Sequence, residues 1–301
     1  MGVRDELKTM AEGFRWGRRP MVPRSAEPHT PPHEDPAFPT DWARSGVGTA
    51  TRLVILNVGL GPLLRSQVAL RVYGLEHLSV IDGPMIFFSN HSSHLDASIM
   101  MITLPKSWRE KTATAAAKDY FFDVWWRSAF TALVYAGFPV ERGAGERATA
   151  KAKQLIRDGW NIIVFPEGTR STDGWLQRFR HGTSRLAIEM HMTVVPVAIV
   201  GAYQAMPKGR FWPKPGRPPI RVRYGAPIVP EEGETHQHLS LRMQQAIAQL
   251  FDEDRTTWFE AEQRAAKGET PKMTGPTGPG WIRTWEGSRP IRRSGKRPVW
   301  K

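Results

Sequence analysis

The sequence contains no cysteine. That excludes disulfides, thiolate metal ligands and a cysteine nucleophile, and it carries no information about redox compartment. It also lacks a long uninterrupted apolar run. The longest, residues 53–64, is bounded by Arg52 and Arg65 and broken by Asn57, Gly59, Gly61 and Pro62. A spanning helix needs about 20 apolar residues, so no transmembrane span is predicted there. Residues 120–138 are longer but carry Asp123 and Arg127. The charged first 19 residues lack the apolar stretch and small-residue cleavage site of a secretory signal. Acidic residues are the minority, 29 against 42 Lys and Arg, for a formal net charge of +13. Such a balance favours anionic partners: phospholipid surfaces, nucleic acid or phosphorylated ligands. No helix-turn-helix, zinc or RNP signature accompanies the charge, so no nucleic acid is expected. A basic nucleic-acid-binding protein remains the alternative of a different class. The G-x-S-x-G elbow is missing too, which weighs against a serine hydrolase built on Ser92, Ser93 or Ser171.

Residues 1–42 are rich in proline, histidine and charge. Such a stretch buries too little apolar surface to offset its ordering entropy, and a flexible N-terminal extension is expected. Residues 43–268 read as the folded domain. Short apolar runs at 85–88, 112–117, 162–165, 194–200 and 220–224 read as strands. Helical patterns fall at 95–103, 120–134, 145–157, 183–190 and, as one long helix, 240–267. The alternation predicts an α/β fold, a central mixed sheet flanked by helices. Residues 51–71, an apolar stretch set among Arg52, Arg65 and Arg71, read as an N-terminal helical segment lying in a membrane surface, with a core helix as the competing reading. Residues 269–301 form a basic tail, eight Lys or Arg against two Glu, interleaved with Trp281, Trp285 and Trp300. It is either a membrane contact or a solvated tail. The aromatic run 120–127 is balanced between an interfacial or acyl-contacting helix and ordinary core packing.

Two clusters carry chemistry. Asn90-His91-Ser92-Ser93-His94-Leu95-Asp96 follows the 85–88 strand, where α/β folds place their sites. Five residues along an ideal helix separate two side chains by about 140°, so His91 and Asp96 meet only if His91 sits on the turn before the helix. His91 would then be a base titrating near neutrality, with Asp96 orienting it and stabilising the imidazolium. A capping cluster is the bland reading of the same residues. His94 is the rival base. The second cluster, Phe165-Pro166-Glu167-Gly168-Thr169-Arg170-Ser171, follows the 162–165 strand. Gly168 lets the backbone approach a ligand closely. Thr169 and Arg170 offer a hydroxyl and a planar fork of donors suited to phosphate. Glu167, acceptor-only when ionised, would orient Arg170 or a glycerol hydroxyl.

Together these blocks resemble the 1-acylglycerol-3-phosphate acyltransferase (PlsC-like) family, which has N-H-x-x-x-x-D followed by F-P-E-G-T-R-S. Residues 137–142 resemble the family's second motif and residues 194–197 its fourth. The resemblance runs over residues 72–230. It implies an enzyme moving a fatty acyl group from an acyl-CoA or acyl-carrier-protein thioester to the hydroxyl of lysophosphatidic acid or a related lysophospholipid. His91 and Asp96 would be catalytic, and Arg142, Glu167, Gly168, Thr169 and Arg170 would bind substrate. It implies no metal and no bound cofactor, and attachment to an anionic membrane surface on the cytoplasmic face as a peripheral or monotopic protein. Two positions depart from the family pattern: Arg180 where a lysine is common, which keeps charge but changes hydrogen-bond geometry, and Pro139 where an aliphatic residue is usual. A non-catalytic lipid-binding relative is disfavoured because His91 and Asp96 are both present.

Overall fold

The computed structural model of the chain describes residues 38–141 and 147–275. Short runs of apolar residues form the central strands, which are covered on both sides, whereas the strands toward one edge are only partly covered. The strands are β1 (Ala69–Tyr73), β2 (Ile86–Ser89), β3 (Thr112–Ala117), β4 (Phe138–Val140), β5 (Asn161–Val164), β6 (Val194–Val200) and β7 (Pro219–Tyr224). They lie in the order β1-β7-β6-β2-β5-β3-β4. All neighbours are parallel except β6 and β7, so the sheet is mixed.

Successive side chains of a strand point to opposite faces, and Phe87 and Phe88 divide the core accordingly. Phe87 packs with Ile163, Val195 and Val197 and with apolar residues of α1 (Gly46–Gln67) and α2 (Leu95–Thr103). Close by, α3 (Trp125–Tyr135) packs on α1. Phe88 packs with Ile86, Ile162 and Val194 beneath α4 (Arg147–Arg157), α5 (Gly182–Glu189) and α6 (His236–Arg255). The last helix, α7 (Trp258–Ala266), packs on α6.

The connections position the site. From β2 the chain passes through α2 to β3, beyond β5. From β5 it passes through α5, on the other face, to β6, beyond β2. Neighbouring strands β2 and β5 therefore send their chains in opposite directions. The crevice left at their carboxyl ends is a topological switch point, where open α/β sheets bind ligands. The two chemistry-bearing blocks follow these two strands.

Several sequence expectations are corrected. The apolar run at 53–64 is part of a longer helix of 22 residues, Gly46–Gln67, which holds an 18-residue stretch of mean hydropathy 1.4, enough by length and composition to cross a membrane. The helix continues through Gly59, Gly61 and Pro62 because residues Ile55–Leu60 widen into a π-helical turn, with Gly61 N–H bonding the Leu56 carbonyl. That wider turn accommodates the proline ring, which would otherwise meet a carbonyl one turn back. Its inner stripe belongs to the domain: Leu56 and Leu64 enter the core. The fully buried Arg52 donates to the carbonyls of Ala43 (2.9 Å) and Glu110 (3.1 Å). Residues 69–71, assigned to the helical segment, instead begin β1.

The single long C-terminal helix is two. The first run ends at Arg255, and Thr257 caps the second, its hydroxyl accepting from Glu260 N–H at 3.3 Å. That is the T-x-x-E capping pattern, which the apolar spacing concealed. Pro139 is accommodated because β4 is an edge strand, where a missing N–H costs no ladder bond. Met273, read as tail, is buried, and its carbonyl accepts from Leu176 N–H at 2.9 Å. In the aromatic run Trp125 and Trp126 are exposed, against the core reading for these two rings. The N-terminal extension up to residue 37 and the tryptophans of the tail lie outside the described residues.

Candidate active site

The site begins with Asn90, one residue past β2. Its side-chain amide donates to the Ile199 carbonyl (3.1 Å) and accepts from Ile199 N–H (2.8 Å). The amide thus imitates one more backbone pairing between β2 and β6 and pins the strand end. The chain then turns into α2, and His91 lies on that turn.

Asp96, in the first turn of α2 and fully buried, reaches back across the turn. Its Oδ2 accepts from Ser92 N–H (2.7 Å) and Ser93 N–H (2.8 Å) and lies 2.9 Å from His91 Nδ1. Two backbone donors fix the carboxylate, and the carboxylate fixes the ring. The structure therefore brings the two together as spacing required. With Nδ1 donating to Asp96, Nε2 is left as the proton acceptor. The imidazole also stacks on Phe165, with ring centroids 4.3 Å apart and planes at 23°.

The second block clamps the backbone of the first. Glu167 Oε1 accepts from His91 N–H at 2.6 Å, and Ser171 N–H donates to the His91 carbonyl at 2.8 Å. The other carboxyl oxygen of Glu167 accepts from Gln177 N–H at 2.8 Å. Glu167 is only 3% exposed. Both of its oxygens are committed to main-chain donors, which corrects the expectation that it orients Arg170 or a glycerol hydroxyl. Burial pushes its carboxyl up to about 8, opposed by the two N–H donors and reinforced by Asp96 and Asp173. A carboxyl raised by folding stabilises the native state below its unfolded value, and that stability is lost as pH rises through the folded one. Wild-type protein is therefore expected to lose a few kcal/mol (order of magnitude) relative to Glu167→Gln between about pH 4.5 and about pH 8. Chemical denaturation of both proteins across that range measures it. Parallel curves would refute it.

Gly168 has φ of +71°, which strains any residue with a side chain, and a Cβ there would sit 2.8 Å from Arg180 Nε and displace that side chain. Thr169 is exposed beside it. Arg170 extends over Tyr120, its guanidinium carbon 6.0 Å from the ring centre. Tyr120 also stacks on His94, whose Nε2 is 3.3 Å from its hydroxyl. Burial first, then Arg170 and His91, depress His94 to about 4, leaving it neutral and weakly basic at pH 7. Arg142 falls outside the described residues. Arg178 and Arg180 are exposed.

Sequence reasoning missed Asn90, Ser171 and Gln177, which act through main-chain bonds, and the rings of Phe165 and Tyr120. Only Asn90 carried a signal, as an amide directly at a strand end. The assembly is an oriented imidazole beside hydroxyl and guanidinium donors, at the mouth of a sheet. It is equipped to deprotonate a hydroxyl on a molecule carrying an anionic group.

Residues 69–200 match the family model described as Acyltransferase. A 1-acyl-sn-glycerol-3-phosphate acyltransferase of Limnanthes douglasii is 30% identical over 54% of this chain and 55% of its own length. The mouse 1-acyl-sn-glycerol-3-phosphate acyltransferase alpha is 30% identical over 56% of this chain and 57% of its own. The chain thus spans little more than half the length of these relatives. The crystal structure of PlsC, the 1-acyl-sn-glycerophosphate acyltransferase of Thermotoga maritima, superposes with a TM-score of 0.54 at 23% identity, covering 71% of this chain and 83% of that one, and shows a shared fold. Over residues 69–200, with both motif blocks at the carboxyl ends of adjacent strands, this chain is similar to the 1-acyl-sn-glycerol-3-phosphate acyltransferases and matches the Acyltransferase family model.

Proposed function

We propose that the protein transfers a fatty acyl group from a thioester, of coenzyme A or an acyl carrier protein, to the free hydroxyl of lysophosphatidic acid or a closely related lysophospholipid. The observation carrying this reading is the 2.9 Å contact of His91 Nδ1 with the buried Asp96, which reserves Nε2 for substrate. The acceptor hydroxyl gives its proton to Nε2 as its oxygen attacks the thioester carbonyl carbon. Asp96 stabilises the imidazolium so formed. Collapse of the tetrahedral intermediate breaks the carbon–sulfur bond, and the departing sulfur takes the proton back from His91. The products are the diacylated lipid and the free thiol. Thr169, Arg170 and the turn at Gly168 hold the acceptor phosphate, with Arg142 as a further contact. Planar guanidinium donors suit that group. Glu167 serves by holding the His91 main chain.

The reaction takes place at a membrane surface, where such acceptors reside. The apolar length of α1 supports this, as do the exposed Val54 and Val58 on it and Trp125, Trp126 and Phe130 on the adjoining α3. The inner stripe of α1 is held by Arg52 and the core, which favours a helix lying in the headgroup plane.

The test is incubation of purified protein with radiolabelled acyl-CoA or acyl-carrier protein and a panel of lysophospholipids, followed by lipid chromatography. Labelled phosphatidic acid, or another diacylated product from the panel, is expected. Absence of transfer to every acceptor from both donors would sink the proposal.

A further inference from the structure

Acidic residues are absent from two long stretches of this chain, 42–75 and 190–230. The fold brings these stretches side by side. β1 pairs with β7, and Ala69 N–H donates to the Pro218 carbonyl at 3.1 Å. Between β6 and β7, residues 207–218 form a loop fastened to the carboxyl end of α1. Trp212 Nε1 donates to Gln67 Oε1 (3.1 Å), and Arg217 donates to the Arg65 carbonyl (2.9 Å).

What the fastenings leave outside is a cationic, aromatic tip. Phe211 is 91% exposed and Trp212 is 54% exposed. Lys208, Arg210 and Lys214 are exposed around them. Among the described residues none of these cations reaches a carboxylate. Arg221 and Arg223 on the adjoining β7 do, through Asp254 and Glu253 of α6. The fold therefore neutralises the strand and leaves the loop charged. The loop also begins at the active site: the carbonyl of Met206 accepts from Ser93 Oγ at 2.7 Å, within the His91–Asp96 turn.

We propose that the 207–218 loop is a docking element for the headgroups of an anionic lipid bilayer. Phe211 enters the boundary between headgroup and acyl chain, and Lys208, Arg210 and Lys214 contact lipid phosphates. Two adjacent exposed rings surrounded by cations that reach no carboxylate suit that boundary, where apolar burial and surface potential act together. The proposal extends the membrane part of the function above and does not depend on the acyl-transfer step.

The experiment is sedimentation of the full chain with phosphatidylcholine vesicles, with and without phosphatidylglycerol, and separately with duplex DNA. Each cation near an anionic leaflet is worth roughly fivefold in partitioning. The triple variant K208Q/R210Q/K214Q is therefore expected to bind phosphatidylglycerol vesicles on the order of a hundredfold more weakly. Phe211→Ser is expected to lose about tenfold on the same vesicles. The control W258S/F259S removes another exposed aromatic pair, on α7, which packs on α6 over the other face of the sheet. It is expected to bind as wild type, and all variants to keep the wild-type melting temperature. Wild-type vesicle binding by the triple variant would overturn the proposal. So would a triple variant that lost DNA binding alone. Because sedimentation reads binding without turnover, failure to detect acyl transfer would count against the catalytic reading and leave this one standing.

Discussion

His91→Ala is expected to lower the rate of acyl transfer by about a thousand- to ten-thousandfold while leaving the fold and vesicle binding in place. The ring is held at Nδ1 by Asp96 and on one face by Phe165, and its side chain is one-fifth exposed, so the acceptor can reach it. Among the described residues at the site, removing the ring removes the one carboxylate-oriented base, since His94 is held near 4 and has a tyrosine hydroxyl, not a carboxylate, at its Nε2. Stability should fall only modestly, because alanine keeps the main-chain bonds of His91 and Asp96 keeps its two N–H donors, although the ring's contacts with Asp96 and Phe165 are lost. The loss should appear in kcat, with KM for the lysophospholipid nearly unchanged, since the base acts in the transition state. Transfer within about tenfold of wild type would remove His91 from the mechanism, and with it the proposed chemistry.

Asp96→Asn is expected to cost about a hundred- to ten-thousandfold in kcat with only a modest drop in melting temperature. The asparagine oxygen can still accept from Ser92 and Ser93 N–H, so the turn survives. What it lacks is the negative charge that stabilises the imidazolium. Asp96→Ala separates the two roles. It leaves both N–H groups and the ring nitrogen without their buried acceptor, and each such buried donor costs about 1–3 kcal/mol. The alanine variant is expected to be inactive and several kcal/mol less stable, a difference read by denaturant titration of the two variants side by side. Equal stability of Asn and Ala variants would mean that Oδ2 does not hold the turn. Full activity of the Asn variant would mean that the charge plays no part.

Strands β2, β3, β5 and β6 were legible because burial on both faces leaves a composition signal that needs no partner to be recognised, and β7 was legible from its alternation of buried apolar residues with arginines. Helix α2 was legible to the residue. The 69–73 segment was not, because its strand character comes from pairing with β7, about half the chain away. Within the sequence it only continues the apolar helix before it. Likewise Thr256 and Thr257 interrupt no apolar stripe, so the break between α6 and α7 became visible only through the cap. At the site, His91 and Asp96 could be paired in advance because five residues and one turn confine them. The work of Glu167 could not. Its two acceptors are consumed by N–H groups of His91 and Gln177, and the first comes within reach only because β5 lies beside β2.

The sequence by itself determined the alternation of strands and helices, the pairing of His91 with Asp96, and the glycine turn with its threonine and arginine. All of these rest on interactions within a few residues of chain. Only the tertiary structure decided that β2 and β5 are neighbours sending their chains opposite ways, that Glu167 braces the histidine main chain, and that two acid-free stretches share one surface. Those outcomes depend on the order of strands in the sheet. That order is set by which faces can be buried together, a property of the whole chain that no local pattern encodes.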